Sequence, residues 1–168
     1  MKLPAKIRYG VRILVEIGRH PEGALPLAEV EKRQLISAKF AKQLLQPLMR
    51  AKLVGSTRGL KGGYRLLKTP DRIRIIDIVN ALSEKDDRIA PCLVRKGICR
   101  RDKNCGAKLK WMDLQKIVDA FLAKTTLRDM IDAEMVSARK GRAGFLRVSP
   151  DYPRARTRSA TFKPLAAK

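Results

Sequence analysis

Histidine occurs once in this 168-residue chain, aromatic residues make up 5%, and there are only 16 Asp+Glu against 38 Lys+Arg. Each scarcity removes a class of function. A lone His20, with no HExxH, GxGxxG or Ser/His/Asp set, leaves no constellation for hydrolytic or cofactor-driven catalysis, so no enzyme is expected. The glycine-rich GLKGGY stretch lacks the Lys-Ser/Thr ending of a P-loop. No run of about 18 apolar residues occurs, which excludes a spanning helix. The N-terminus MKLPAKIRYG shows no apolar core of a secretion signal, and the expected location is the cytoplasm.

The shortage of acid leaves a net charge of +22, which calls for an anionic partner, most often nucleic acid. With 45% hydrophobic residues the chain has enough apolar material for a real core. The charge is spread unevenly. Residues 137–168 hold nine Lys/Arg against the single Asp151, a net +8, which leaves +14 for residues 1–136. Three prolines, two glycines and no sustained apolar period in that stretch point to a disordered basic tail that adds unselective phosphate binding.

Within residues 1–136 the periodicity is mainly helical. Residues 5–18 place Ile7, Val11, Leu14 and Val15 at helical spacing, and His20-Pro21 with Gly23 ends that helix. A short helix is expected over Leu27–Gln34. Ser37 is a good N-cap for a third, roughly 38–52, with Phe40, Leu44, Leu45 and Leu48 inward and a kink or register change expected at Pro47. Two extended pieces, Leu53–Arg58 and Gly63–Leu67, flank a cationic tip, Gly59-Leu60-Lys61-Gly62. Another helix follows over Ile73–Leu82. Three helices and a hairpin, in that order, predict a mainly α fold with a small β-hairpin wing, a winged helix-turn-helix.

In that architecture the capped helix enters a major groove. Lys39, Lys42 and Gln43 are then the reading residues and Ser37 meets a phosphate, because Lys donates to guanine O6/N7 and Gln pairs with adenine N6/N7. Arg58, Lys61 and Arg65 on the wing suit backbone contacts or a narrow minor groove, and Lys6 and Arg8 add phosphate contacts from the first helix. Further on, Trp111, Leu114, Ile117, Val118, Phe121 and Leu122 form a helical stripe. The N-terminal module has its own core helices, so an exposed stripe favours self-association, and a homodimer would carry two reading heads about one DNA turn apart. Thr126 can cap a last helix with Leu127, Met130 and Ile131 on one side.

All three cysteines fall in RIAPCLVRKGICRRDKNCGAKLKW, as Cys92-x6-Cys99-x5-Cys105. An odd number of thiols without a secretion signal argues against a disulfide framework. Three of them in one short loop, among Arg95, Lys96, Arg100, Arg101, Lys103 and Lys108, can wrap a soft metal centre, and the cations favour thiolates. The spacing is not the C-x2-C of common zinc knuckles, which ranks zinc lower. Redox-active thiols without any metal are the remaining alternative.

The opening MKLPAKIRYGVRILVEI, the segment ISAKFAKQLLQPLMRAKLVGSTRGLKGGYRL, the helix IIDIVNAL, the cysteine triplet and the Trp111 helix together resemble the IscR/NsrR-type winged-helix transcriptional regulators over about residues 1–135. The resemblance implies a DNA-binding domain over 1–83, a cluster loop over 84–110 and dimerisation helices over 111–136, the long helix crossing to the partner subunit. It implies a homodimer on a palindromic operator in double-stranded DNA. It also implies an iron–sulfur cluster, 2Fe–2S first and 4Fe–4S second, on Cys92, Cys99 and Cys105, whose state changes operator binding. Two positions depart from the family. Relatives often carry His three residues after the last Cys, or an acid near the N-terminus, where this chain has Lys108 and Arg8. The fourth ligand then falls to Asp102, Glu84, His20, another residue or an exogenous thiol. Relatives often have Glu before the recognition-helix Gln, where this chain has Lys42, so broader or tighter DNA binding is expected. The alternatives to a cluster-bearing regulator are a DNA-binding regulator using thiol or zinc chemistry and a general nucleic-acid-coating protein.

Overall fold

The structure, a computed structural model, describes residues 3–59, 62–83, 88–95 and 97–139. Among them are six α-helices and one antiparallel hairpin: α1 (Ala5–Gly18), α2 (Leu27–Gln34), α3 (Ala38–Arg50), β1 (Val54–Thr57), β2 (Gly63–Leu66), α4 (Ile75–Leu82), α5 (Gly106–Lys124) and α6 (Leu127–Arg139). The fold is that of a winged helix-turn-helix followed by a long helix and a returning one.

α1 is the central element, packed by α2, α3, α4, α6 and β2. That explains a difference from the periodicity: Ile13 and Ile17 are as deeply buried as Ile7 and Leu14, whereas Val11 is only half-buried. A helix contacted from several sides buries more than one stripe. Leu44, Leu45 and Leu48 of α3 join this core with Leu53, Val54, Ile73 and Ile78.

Pro47, where a kink or register change is expected, lies inside α3, and α-helical structure continues through it to Arg50. Its ring removes only the N–H that would have reached Gln43, while the Pro47 carbonyl still accepts from Ala51 N–H at 3.0 Å. The turn between α2 and α3 uses Leu35 at φ 52°, a left-handed conformation costing a branched side chain about 1–2 kcal/mol. Leu35 stays exposed there, clear of the core.

β1 and β2 pair from Val54↔Leu66 to Thr57↔Gly63. A third segment, the α1–α2 loop, adds one rung, where Leu25 and Tyr64 exchange both backbone hydrogen bonds at 2.8 Å. α5 begins at Gly106, five residues before the stripe first expected to define it, with Cys105 at its N-cap. α6 returns to the N-terminal core: Leu127 and Ile131 are buried in it and Met130 packs against it. Thr126 caps α6 as expected, its hydroxyl accepting from Asp129 N–H at 3.2 Å. The Thr126 N–H and hydroxyl both donate to the Asp129 carboxylate at 2.8 Å, which holds that carboxyl below its ordinary range. The turn is locked to α4 by Leu127 N–H to Ile73 C=O (2.8 Å), Ile75 N–H to Thr125 C=O (2.9 Å) and Arg74 Nη1 to Ala123 C=O (2.7 Å).

Candidate functional site

The outer face of α3 and the wing form one candidate surface. Ser37 Oγ accepts from Phe40 N–H at 3.3 Å, so the expected cap is in place and satisfies one of the orphan donors of the first turn. Burying Ala41, Leu44, Leu45 and Leu48 turns the opposite face outward, and Lys39, Lys42 and Gln43 are exposed. Arg58, just beyond β1, and Arg65 on β2 are exposed as well. Lys61 and Glu84 lie outside the described residues, as does the side chain of Asp102.

Gly59, Gly62 and Gly63 of the wing each have a separate cause. Gly59 sits at φ 111°, outside the range of ordinary side chains. A Cβ on Gly62 would come within 2.5 Å of the Thr57 carbonyl oxygen, and one on Gly63 would collide with the Leu25 carbonyl. Both neighbours are backbone and cannot rotate away. Gly63→Ala will therefore break the Leu25–Tyr64 rung, costing about 1–3 kcal/mol. Thermal denaturation will register the loss, and DNA affinity will fall further than the unfolded fraction explains, because the wing is displaced.

Sequence reasoning missed a polar cluster behind this surface. Glu16 and Gln34 are the buried polar residues among those described, joined by Arg12, His20 and Arg33. Arg33 Nη1 donates to Glu16 Oε1 at 2.7 Å and its Nε to Glu29 Oε2 at 3.1 Å, which raises its already high pKa. His20 Nε2 lies 2.7 Å from Arg33 Nη1 and 3.3 Å from Glu16 Oε1, so the structure places the sole histidine in this α1–α2 junction. The available signal was Glu16 set between Val15 and Ile17 on α1.

The cysteine loop packs on α5. Cys92 sits in a single 3-10 turn, Pro91–Leu93, and Cys105 leads into α5; both are half-buried, Cys99 is exposed, and all three are free thiols. Ile89 N–H donates to Gln115 Oε1 at 3.1 Å and Gln115 Nε2 to Asp119 Oδ1 at 2.8 Å, which pins the start of the loop to the helix. Cys92 lines a cavity with Arg88, Val94, Lys108, Met112 and Asp119. Three thiols on one short cationic loop match a thiolate-held iron–sulfur group in donor type. Among the described residues no three His, Cys, Asp or Glu side chains converge on a common point.

α5 itself buries no residue. Trp111, Ile117 and Phe121 are 44%, 66% and 64% exposed, and Leu114 is exposed with them, while Val118 and Leu122 are half-buried. The stripe expected from the periodicity is present, and its most apolar members face solvent. No helix among the described residues is long and apolar enough to cross a membrane.

Comparison with known proteins agrees with this architecture. A family model described as "Rrf2: Iron-dependent Transcriptional regulator" matches residues 3–133. The HTH-type transcriptional regulator IscR of Aliivibrio salmonicida is 36% identical over 137 residues, 80% of each chain. Its Escherichia coli counterpart is 33% identical over 161 residues, 95% of this chain and 96% of that one. Among solved structures, T. potens IscR superposes with a TM-score of 0.65 at 28% identity, covering 80% of this chain and 88% of that one. CymR, the global cysteine regulator of B. subtilis, superposes with a TM-score of 0.65 at 30% identity, covering 79% and 98%.

Proposed function

The chain belongs to the Rrf2 family of transcriptional regulators, and we propose that it reads a palindromic operator as a cytoplasmic homodimer whose DNA affinity depends on an iron–sulfur cluster. The observation that carries the DNA reading is the capped α3, which buries its leucines and leaves Lys39, Lys42 and Gln43 outward beside the wing cations. Ser37 meets a phosphate, Lys39, Lys42 and Gln43 read base edges, and Arg58, Lys61 and Arg65 hold the backbone or minor groove. Lys42, where relatives often have an acid, removes a group that would repel phosphate. The tail beyond residue 136 adds affinity without selectivity.

Cys92, Cys99 and Cys105 are the candidate ligands, 2Fe–2S before 4Fe–4S. Bound there, such a cluster supplies a redox-sensitive centre. The protein's part is to present three thiolates from a loop anchored to α5, so that closing the loop bears on the helix that pairs the subunits. A second reading, thiol or zinc chemistry without a cluster, draws on one observation: Lys108 stands where relatives often place a histidine ligand.

Selection of duplexes from a random pool by the full-length protein tests the DNA reading. A two-fold-symmetric site is expected. Gln43→Ala will relax selectivity at one base pair per half-site, a loss of about 1–3 kcal/mol of discrimination. Equal affinity for selected and random duplexes, with a steep salt dependence, would make it a general nucleic-acid-coating protein instead.

A further inference from the structure

A continuous chain of contacts runs from the α1–α2 junction to the first turn of α3. Buried Glu16 accepts from Gln34 Nε2 at 3.4 Å, and Gln34 Oε1 accepts from Arg12 Nε at 2.8 Å. The Arg12 guanidinium lies over the Tyr9 ring, 5.1 Å from its centroid. Tyr9 meets Phe40 edge to face, with centroids 5.6 Å apart and ring planes at 82°. Phe40 N–H in turn donates to the Ser37 cap. Each link has a defined direction: a planar guanidinium bonded at its Nε, a cation over a π face, a T-shaped ring pair.

We infer that Arg12 is a positioning residue for operator recognition. Held by Gln34, it fixes the Tyr9 ring, and through Phe40 that ring sets the N-terminal turn of α3, which carries Ser37, Lys39, Lys42 and Gln43. Arg12 is half-buried, and its Nε and its π face are both occupied within the protein. Its effect is therefore on selectivity and not on phosphate affinity. The geometry also separates Arg12 from a generic cation: Lys keeps the charge but has neither the Nε donor nor the flat face.

The inference rests on α3 being the reading helix, and the test separates the two. The full-length protein carrying Arg12→Lys, Tyr9→Phe, Tyr9→Leu or Gln43→Ala is titrated with the duplex selected from a random pool and with a random duplex, over a series of salt concentrations. Arg12→Lys and Tyr9→Leu are expected to lower the ratio of selected to random affinity about three- to five-fold, the scale of an exposed cation–π or ring-pair contact. The salt slope should stay unchanged. Tyr9→Phe, which keeps the ring, should behave as the unsubstituted protein does. If Arg12→Lys lowers only the melting temperature and leaves the ratio intact, Arg12 is structural and the inference is overturned. If both affinities and the salt slope fall together, Arg12 contacts phosphate and it is likewise overturned. If Gln43→Ala also leaves the ratio intact, the reading role of α3 is lost and this inference with it.

Discussion

Protein purified without oxygen will be coloured and carry iron, and Cys99→Ala will remove most of both while the metal-free forms of the two proteins melt at the same temperature. Cys99 is the informative position because it is exposed, whereas Cys92 and Cys105 are half-buried. Removing the exposed thiol takes away a ligand and almost no packing, so a loss of iron cannot be ascribed to unfolding. Cys92 lines a cavity with Met112 and Val94, and Cys105 is half-buried at the start of α5, so substitution at either disturbs packing as well as chemistry. The readouts are iron and sulfide per chain, visible absorbance, and thermal denaturation of the metal-free forms. Zinc in place of iron would move the cysteines to the second reading with a metal, and neither metal would make them plain thiol sensors. Either result leaves the DNA-reading surface intact, since Ser37, Lys39, Lys42 and Gln43 take no part in the loop.

How legible these features are in the chain follows from the range of the interactions that create them. Amphipathic spacing and caps are local, and they place α1, α2, α3 and the hairpin to within a residue or two. Ser37 is readable as a cap because the cap bond spans only the four residues from Ser37 to Phe40. Pro47 reads as a kink or register change by the same local rules. It is tolerated because Leu44, Leu45 and Leu48 are buried on both sides of it, and their packing outweighs one missing hydrogen bond. Gly62 and Gly63 are recognisable as turn residues, but the cause, carbonyl oxygens of Thr57 and Leu25 against their Cα atoms, is tertiary. Glu16 and Gln34 fail for a different reason. A carboxylate and an amide 18 residues apart pair only after two helices have crossed, and each alone looks like a solvent-facing residue. The α5 stripe is visible in sequence, but periodicity gives no sign of whether such a stripe faces the chain's own core or another molecule. In the structure α5 adds half-buried Leu122 to the core built around α1, while Trp111, Ile117 and Phe121 of the same stripe stay exposed.

Ile117→Asp with Phe121→Asp will convert a dimer into a folded monomer and lower affinity for a two-half-site duplex by on the order of 100-fold or more. Both side chains are about two-thirds exposed in the single chain, so the substitutions remove little of its own packing. Asp costs a few tenths of a kcal/mol in helix propensity at each position, and the melting temperature of the isolated chain should barely move. In a two-fold dimer each residue is buried twice, and a large apolar side chain contributes about 1.5–3 kcal/mol on full burial. Replacing that with a buried carboxylate adds a desolvation penalty. Lys110 and Lys116 are already engaged by Asp113, at 3.9 and 3.7 Å. A monomer still carries one complete reading head, so its affinity for a single half-site should match that of the unsubstituted protein. The loss then falls on the linkage between two heads and not on base recognition. Sedimentation velocity establishes the oligomeric state, and titration of one-half-site and two-half-site duplexes separates the terms. A dimer that survives both aspartates would move the interface off this face of α5, and equal losses on both duplexes would show that α5 supports the reading head directly.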